Sequence, residues 1–140
     1  MGKINVARVI LGGLLAGLII NLSELVLNSY VIADEMTALT QRLDLPAIGT
    51  NQIAIFLLLT FVLGIIMIFV YAGLRPRFGA GAKTAVIAAV TLWLVGMFPA
   101  TVDTIMGVTT ANLLVVAGIW SLVEMIVAGI AGAWVYKESA

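Results

Sequence analysis

Two carboxylic acids lie inside long apolar stretches of this sequence, each one helical turn after a neutral polar residue. Asn21 precedes Glu24 by three residues, and Ser121 precedes Glu124 at the same spacing. On a helix, residues three apart share a face, so each pair presents two hydrogen-bonding groups side by side. Ionisable groups in apolar segments are costly and usually face other protein groups. These four residues are therefore the first candidates for function.

Two kinds of chemistry fit this polar intramembrane cluster. In the first, hydrogen-bonded carboxyls hold neighbouring helices together and have a structural role. In the second, the carboxyls form a proton or cation relay, or a polar pocket for a ligand. Arg8 opens the first apolar stretch, sixteen residues before Glu24, and no other Lys or Arg lies within the two stretches to pair with Glu24 or Glu124. The residues favour the structural role and leave the relay open.

The sequence contains no cysteine and no histidine. It therefore has no thiolate nucleophile, no disulfide framework and no cysteine ligands for zinc or an iron–sulfur cluster. It also lacks an imidazole base, a Ser-His-Asp triad and a histidine ligand for haem. We expect a protein that is not an enzyme, with no catalytic residues, no metal site and no cofactor.

Composition indicates an integral membrane protein. The 140 residues are 63% hydrophobic and 10% charged, whereas soluble domains are nearer 45–50% apolar and 25% charged. Seven basic residues balance seven acidic ones, so no net positive field would attract a nucleic acid. The length suits a single domain over residues 1–140. We expect the lipid bilayer as a partner and no nucleic acid.

Four apolar stretches are long enough to cross a bilayer. They cover residues 6–32, 52–74, 84–102 and 112–136, and about 20 helical residues cross a hydrocarbon core of about 30 Å. Backbone polar groups in lipid must bond within the segment, which favours helices. The predicted fold is all-α, a bundle of four transmembrane helices.

Basic residues set the predicted orientation. Six of the seven lie at or near the termini or between spans two and three: Lys3, Arg8, Arg75, Arg77, Lys83 and Lys137. The positive-inside rule then places both termini in the cytoplasm. We expect residues 75–81 to form a tight basic turn, where Arg75, Arg77 and Lys83 set the topology and contact anionic lipid headgroups.

The link between spans one and two predicts a short amphipathic helix at the outer membrane interface. Met36, Leu39 and Leu43 recur at helical spacing, and such a helix lies in the interface with its apolar face towards lipid. Asp34 is the expected N-cap, and Pro46 ends the segment. A lid over a site is the alternative.

Small residues predict that spans one and four pack together. A GxxxG element in span one and two similar elements in span four allow close backbone approach; these residues are Gly13, Gly17, Ala128, Gly129, Gly132 and Ala133. In an antiparallel pair, counting about 1.5 Å per residue brings Glu24 level with Ser121 and Asn21 level with Glu124. We expect reciprocal Glu–Ser and Asn–Glu hydrogen bonds.

Three motifs carry a resemblance to a known group of proteins. Asn21-Leu-Ser-Glu24, Tyr71-Ala-Gly-Leu-Arg75-Pro-Arg77-Phe-Gly79 and Trp120-Ser-Leu-Val-Glu124 together resemble a group of small bacterial four-helix inner-membrane proteins of unassigned activity. The resemblance covers nearly the whole chain. It implies a multi-pass protein of the bacterial inner (plasma) membrane and transfers no catalytic residues.

These observations predict a non-enzymatic accessory or assembly subunit of a larger membrane complex. Short loops offer little soluble surface, and small-residue faces suit lateral association. The alternative is a small proton- or cation-coupled carrier that uses Glu24 and Glu124 as a homo-oligomer. We expect a membrane-protein partner or a second copy of the chain. An intramembrane enzyme or a lipid or pigment binder is a third reading, which the missing histidine and cysteine disfavour.

Overall fold

The computed structural model describes residues 3–138, which fold into four long helices and one short one. The helices are α1 (Val6–Val26), α2 (Ala33–Arg42), α3 (Thr50–Phe78), α4 (Ala82–Ile105) and α5 (Ala111–Val135), and a π-helical turn, Leu27–Val31, extends α1. The residues that precede α1 and α5 explain where these two helices begin. The side chains of Asn5 and Thr110 accept hydrogen bonds from backbone amides in the first turns of α1 and α5, which satisfies donors that the helix cannot.

The four predicted spans are confirmed as long apolar helices. Val6–Val31, Thr50–Phe78, Ala82–Ile105 and Ala111–Val135 are each long and apolar enough to cross a membrane. The chain is therefore a multi-pass membrane protein with an all-helical fold.

The link between α3 and α4 is shorter than the predicted turn. Arg75 remains helical, the backbone amide of Gly79 bonds to its carbonyl oxygen, and only Gly79–Gly81 reverse the chain. Gly79 and Gly81 have φ values of 84° and 123°, which glycine adopts far more readily than other residues. The predicted basic turn over residues 75–81 was therefore wrong in its first half.

The short helix α2 also differs in its ends. Ile32 is its N-cap residue, with no side-chain cap, and Asp34 lies inside the first turn. The predicted capping role of Asp34 was wrong because the π-helical turn carries the chain directly to Ile32. The helix ends at Arg42, before Pro46, and Asp44 follows with a φ of 50°.

Helix contacts arrange the four long helices in a ring. α1 packs between α3 and α5, α4 packs against α5 and α3, and α3 also touches α5. Both chain ends lie beside the α3–α4 turn: the Asn5 backbone amide bonds to the Tyr136 hydroxyl, and that of Gly81 bonds to the Tyr71 hydroxyl. We call this the terminal end of the bundle, and the opposite end, which carries α2, the α2 end.

Buried side chains of α3 and α4 are concentrated towards the terminal end. The buried residues of α3 lie between Gly64 and Ala72, and those of α4 between Thr84 and Ala89. By contrast, every residue of α3 from 50 to 59 is exposed. The buried contact between the two helices therefore lies near their turn.

Candidate functional site: a carboxyl pair between α1 and α5

The two intramembrane carboxyls lie side by side where α1 meets α5. The side chains of Ser23 and Glu24 adjoin the carboxyl group of Glu124. Glu124 lies close to the middle of α5 and is 7% exposed, whereas Glu24 is half-buried. Packing of α1 against α5 thus brings together two acidic groups that are 100 residues apart in sequence.

Hydrogen bonds connect this carboxyl pair to its neighbours. The Asn28 side-chain amide donates to Glu24 Oε2 at 2.8 Å, and the Trp120 indole Nε1–H donates to Ser23 Oγ at 2.8 Å. Glu124 Oε2, although buried, has no hydrogen-bond partner among the described residues. Glu24 Oε2 therefore has a hydrogen-bond donor, whereas Glu124 Oε2 has none among the described residues.

The predicted bonding pattern within the polar cluster was wrong. Asn21 donates to the backbone carbonyl of Leu57 on α3, at 3.4 Å, and does not bond to Glu124. The Ser121 hydroxyl donates to the carbonyl of Gly118, within its own helix, and does not bond to Glu24. The reason is rotational: Asn21 continues the face of α1 that contains Gly13 and Gly17, and that face packs on α3.

The predicted role of the GxxxG element in α1 changes for the same reason. A Cβ atom on Gly13 would collide with the Ile65 backbone, and one on Gly17 would lie 2.8 Å from Phe61 Cα, so both glycines face α3. The contact with α5 uses Gly12, where an added Cβ would lie 2.5 Å from the carbonyl oxygen of Gly132. Gly12 was not predicted as a packing residue, although Gly12 and Ala16 have the same spacing as Gly129 and Ala133.

The small residues of α5 serve more than one helix. Gly132 meets Gly12 of α1 and the Ile68 side chain of α3, whereas Gly129 lies against Ala85 and Ala89 of α4. Ala128 and Ala133 are buried in the same core. α5 therefore contacts all three of the other long helices, with small residues on the faces that meet them.

A groove beside the carboxyl pair opens between α1 and α5. It has a volume of about 610 Å³ and is lined by Ile19 and Ser23 of α1 and by seven α5 residues between Val115 and Val127, which include Trp120 and Glu124. The other α5 residues that line it are valine and isoleucine. Its apolar walls suit the hydrocarbon region of a bilayer, with a carboxyl group at their centre.

Polar groups continue from Glu124 in only one direction. Towards the α2 end they run through Glu24 to Asn28, which lines a second groove of about 700 Å³ beneath α2 and the segment 44–48. Towards the terminal end, α5 has no polar side chain between Glu124 and Tyr136, and the Gly12–Gly132 backbone contact closes the interface. Within the part of the chain that the structure describes, the polar chain ends at Glu124.

Helix α2 is held to the link between α4 and α5. The Arg42 guanidinium donates to the carbonyl oxygens of Gly107 and Val108, at 3.1 and 2.7 Å, and Asn112 donates to Glu35. Beneath α2, Leu27, Ile32 and Leu113 form a small apolar cluster with partly buried neighbours that include Met36 and Leu39. The apolar residues that predicted an amphipathic helix thus pack partly on the protein.

The basic residues at the terminal end fall into two groups. Arg77 and Lys83 are exposed, but the Arg75 side chain is only 18% exposed and its Nη1 lies 3.3 Å from Glu138 Oε1. Its guanidinium carbon is 5.9 Å from the Tyr71 ring centroid and 5.2 Å from that of Tyr136, close enough for cation–π contact. Both tyrosines lie at span ends, where tyrosines often form an aromatic belt at the membrane interface, but both are buried.

Among residues 3–138, no group of three or more Asp, Glu, His or Cys side chains is arranged to hold a metal ion. Comparisons with protein-family models, with curated proteins and with solved structures find no match for this chain. The site is therefore interpreted from its own geometry, as a buried carboxyl pair beside an apolar groove in a helical membrane protein.

Proposed function

We propose that this protein is a non-enzymatic accessory or assembly subunit that binds another membrane protein within the bilayer. The observation that carries the proposal is the exposure of α3 towards the α2 end. From residue 50 to 59 the helix is exposed around its whole circumference. Its apolar side chains there include Phe56 and Leu58, at 55% and 65% exposed. Nearly three helical turns thus have little contact with the rest of the chain, apart from the Asn21 side chain at the Leu57 carbonyl.

Apolar side chains are also exposed on α4, in the half nearer the α2 end: Leu94, Val95 and Phe98. Helices in membranes associate through close packing and not through a hydrophobic driving force. A partner helix against the exposed part of α3 would supply packing contacts that the chain does not make by itself.

A small proton- or cation-coupled carrier is the second candidate, and the contact between Glu24 and Glu124 favours it. Transport through one copy would need polar groups on both sides of this pair. The apolar stretch of α5 between Glu124 and Tyr136 spans about 18 Å and contains none. A carrier would therefore need a second copy of the chain, whereas an accessory subunit needs no path.

For the location we propose the bacterial inner membrane, with both termini in the cytoplasm. The terminal end carries six of the seven basic residues, and the resemblance to small bacterial membrane proteins supports the same compartment. At this end the exposed Arg77 and Lys83 are the residues that we expect to meet anionic lipid headgroups. Arg75 is expected to contribute less because its guanidinium is engaged with two tyrosines.

Site-specific photocrosslinking in native membranes tests the accessory role. A photoreactive amino acid at Leu58 is expected to form one discrete protein adduct, because this position lies on the unpartnered surface of α3. The matched control is Leu22 on α1, which is similarly exposed at 58% but belongs to a helix packed on both sides. We expect the adduct to be absent or weaker there.

The identity of the adduct separates the two candidates. A protein other than this chain, identified by mass spectrometry, supports the accessory subunit. An adduct of twice the chain mass supports the homo-oligomeric carrier. Crosslinking to lipid alone at Leu58 would contradict both assembly models.

Single cysteines test the proposed topology, since the chain contains none. An impermeant thiol reagent applied to intact cells is expected to label Thr50→Cys and to spare Ser139→Cys, which lies outside the described residues. Labelling of the second variant in intact cells would overturn the orientation.

A further inference from the structure

The α1–α5 groove contains a carboxyl group that lacks a counterpart. Glu124 lines the groove and is more than nine-tenths buried, and its Oε2 has no hydrogen-bond partner among the described residues. A buried polar atom without a partner is unfavourable, because it has lost its hydrogen bonds to water without replacing them. The polar groups beside it are the Ser23 hydroxyl, whose oxygen accepts a hydrogen bond from the Trp120 indole N–H, and a second carboxyl, Glu24.

No cation of the protein reaches this pair. Within the described residues, Arg42 is engaged with the α4–α5 link, and all other Lys and Arg residues belong to the terminal end. Two adjoining carboxyls without a basic neighbour repel each other when both are ionised, and a bound cation would relieve that repulsion. A hydrogen-bond donor that also carries that charge would satisfy both the geometry and the electrostatics.

The groove itself restricts what can carry the charge. Apart from Ser23, Trp120 and Glu124, its walls are valine and isoleucine side chains, and it extends over the α5 segment 115–127, which is about 18 Å long. A hydrated inorganic ion would find few ligands along these walls. An elongated apolar molecule with one ammonium group fits the walls and the carboxyl together, and the Trp120 ring can add a cation–π contact.

We propose that the groove between α1 and α5 binds a lipophilic amine, an amphiphile with an apolar body and a primary or secondary ammonium group. The ammonium N–H donates to Glu124 Oε2, and the apolar body lies along α5 beside Ile119 and Val123. The ligand enters from the bilayer. The site lies between α1 and α5, across the ring from the α3–α4 side, and needs no partner subunit, so it is independent of the accessory role.

Quenching of Trp120 fluorescence tests the site in lipid nanodiscs. Trp93→Phe and Trp134→Phe leave Trp120, which lines the groove, as the only tryptophan. The probe is an alkylammonium with bromine atoms on its chain, and the comparison probe is the same brominated chain with a hydroxyl head. We expect the ammonium probe to quench in a saturable manner and the alcohol to show only the gradual quenching of a molecule dissolved in the bilayer.

Glu124→Gln removes the charge and keeps the size of the side chain. Because hydrogen bonds to charged groups are the stronger ones, we expect this variant to bind the ammonium probe at least about tenfold more weakly. Asp103→Asn is the matched control, since Asp103 is an exposed carboxyl on α4 away from the groove, and it should bind as the parent does. Val123→Phe fills the groove, leaves both carboxyls in place and should also weaken binding.

Two results would overturn the proposal. One is equal saturation by the ammonium and alcohol probes, which would show a groove that accepts any alkyl chain. The other is an unchanged midpoint in both Glu124→Gln and Val123→Phe, which would place the probe elsewhere. Neither result bears on crosslinking at Leu58, so failure here is distinguishable from failure of the accessory role.

Discussion

From the terminal end to the middle of the bundle glycine backbones meet one another, whereas towards the α2 end the contacts are made by side chains and by a short helix. Gly12 meets the Gly132 backbone, and Gly64 meets the backbones of Gly13 and Gly17. Towards the α2 end the contacts are the Trp120–Ser23 bond, the carboxyl pair and the Arg42 contacts with the α4–α5 link. Over residues 50–59, α3 is exposed and touches α1 at the Asn21–Leu57 hydrogen bond.

The two halves of the bundle therefore have different roles, because their helices are held together by different kinds of contact. Backbone contacts through glycine tolerate no added atom, so they fix the helix spacing and leave no room for a ligand or a path. Side-chain contacts at the other end leave grooves, an unpaired carboxyl oxygen and an exposed helix. We therefore expect rigidity at the terminal end and binding at the α2 end.

The largest expected effect comes from adding one methyl group where the backbones of α1 and α3 are in contact. In Gly64→Ala the new Cβ would meet the Gly13 carbonyl oxygen and would lie 2.6 Å from the Gly17 backbone nitrogen. Backbone atoms of a packed helix cannot move aside cheaply, so we expect a loss of about 3 kcal/mol in unfolding free energy. Denaturation followed by circular dichroism measures it. Gly73→Ala, on the same helix with nothing within 4 Å, is the control. Equal stability of the two variants would show that the helices are not in backbone contact.

The next effect tests the attachment of α2. Arg42→Ala removes two charge-assisted hydrogen bonds to the α4–α5 link and should destabilise α2 locally by about 1.5 kcal/mol. Faster hydrogen exchange of the α2 amides, with unchanged exchange at the terminal end, is the expected result. Gln41→Ala, at an exposed neighbour that makes no such bond, should leave α2 as it is. Uniformly faster exchange would contradict the separation of the two ends.

Replacement of the Glu124 carboxyl separates structural contact from proton transfer. If the carboxyl pair has a structural role, Glu124→Gln should keep fold and assembly, because an amide retains hydrogen-bonding capacity. Glu124→Leu should weaken assembly by about 1 kcal/mol, within the range of interhelical hydrogen bonds in membranes. We expect the same pattern for Glu24→Gln and Glu24→Leu. A Glu24→Gln variant that assembles normally but loses its cellular phenotype would favour the carrier over the accessory role, because Glu24 does not line the α1–α5 groove.

The smallest expected effect concerns a single hydrogen bond between α1 and α5. A double-mutant cycle of Ser23→Ala and Trp120→Phe should give a coupling energy of about 0.6 kcal/mol, the average for such bonds in a membrane protein. The control cycle pairs Ser23→Ala with Trp93→Phe, because the Trp93 indole donates to Gly118 on a different contact. Coupling in the control cycle as large as in the first would show that the effect is not local to the groove.

The sequence by itself determined the class of protein and its four spans. Apolar length is a local property, because each span must satisfy its own backbone in lipid, and so residues 6–32 or 112–136 could be identified without tertiary contacts. The same holds for the absence of cysteine and histidine and for the one-sided basic residues. The predicted helix ends were less accurate. α3 continues past Leu74, the predicted end of span two, because Arg75 packs on the ring of Tyr71, which lies one turn before it in the helix.

Tertiary structure decided which faces of the helices meet. Counting residues placed Asn21 level with Glu124, but depth along an axis does not define rotation around it. The face of α1 that contains Gly13 and Gly17 packs against Gly64 of α3. This packing fixes the rotation of α1, so Asn21 faces Leu57 of α3. Ser23 and Glu24 then lie beside Glu124 of α5. Since nearly every residue of these spans is apolar, the sequence pattern does not distinguish a lipid-facing side from a protein-facing one. Only the packing of small residues against one another makes that choice.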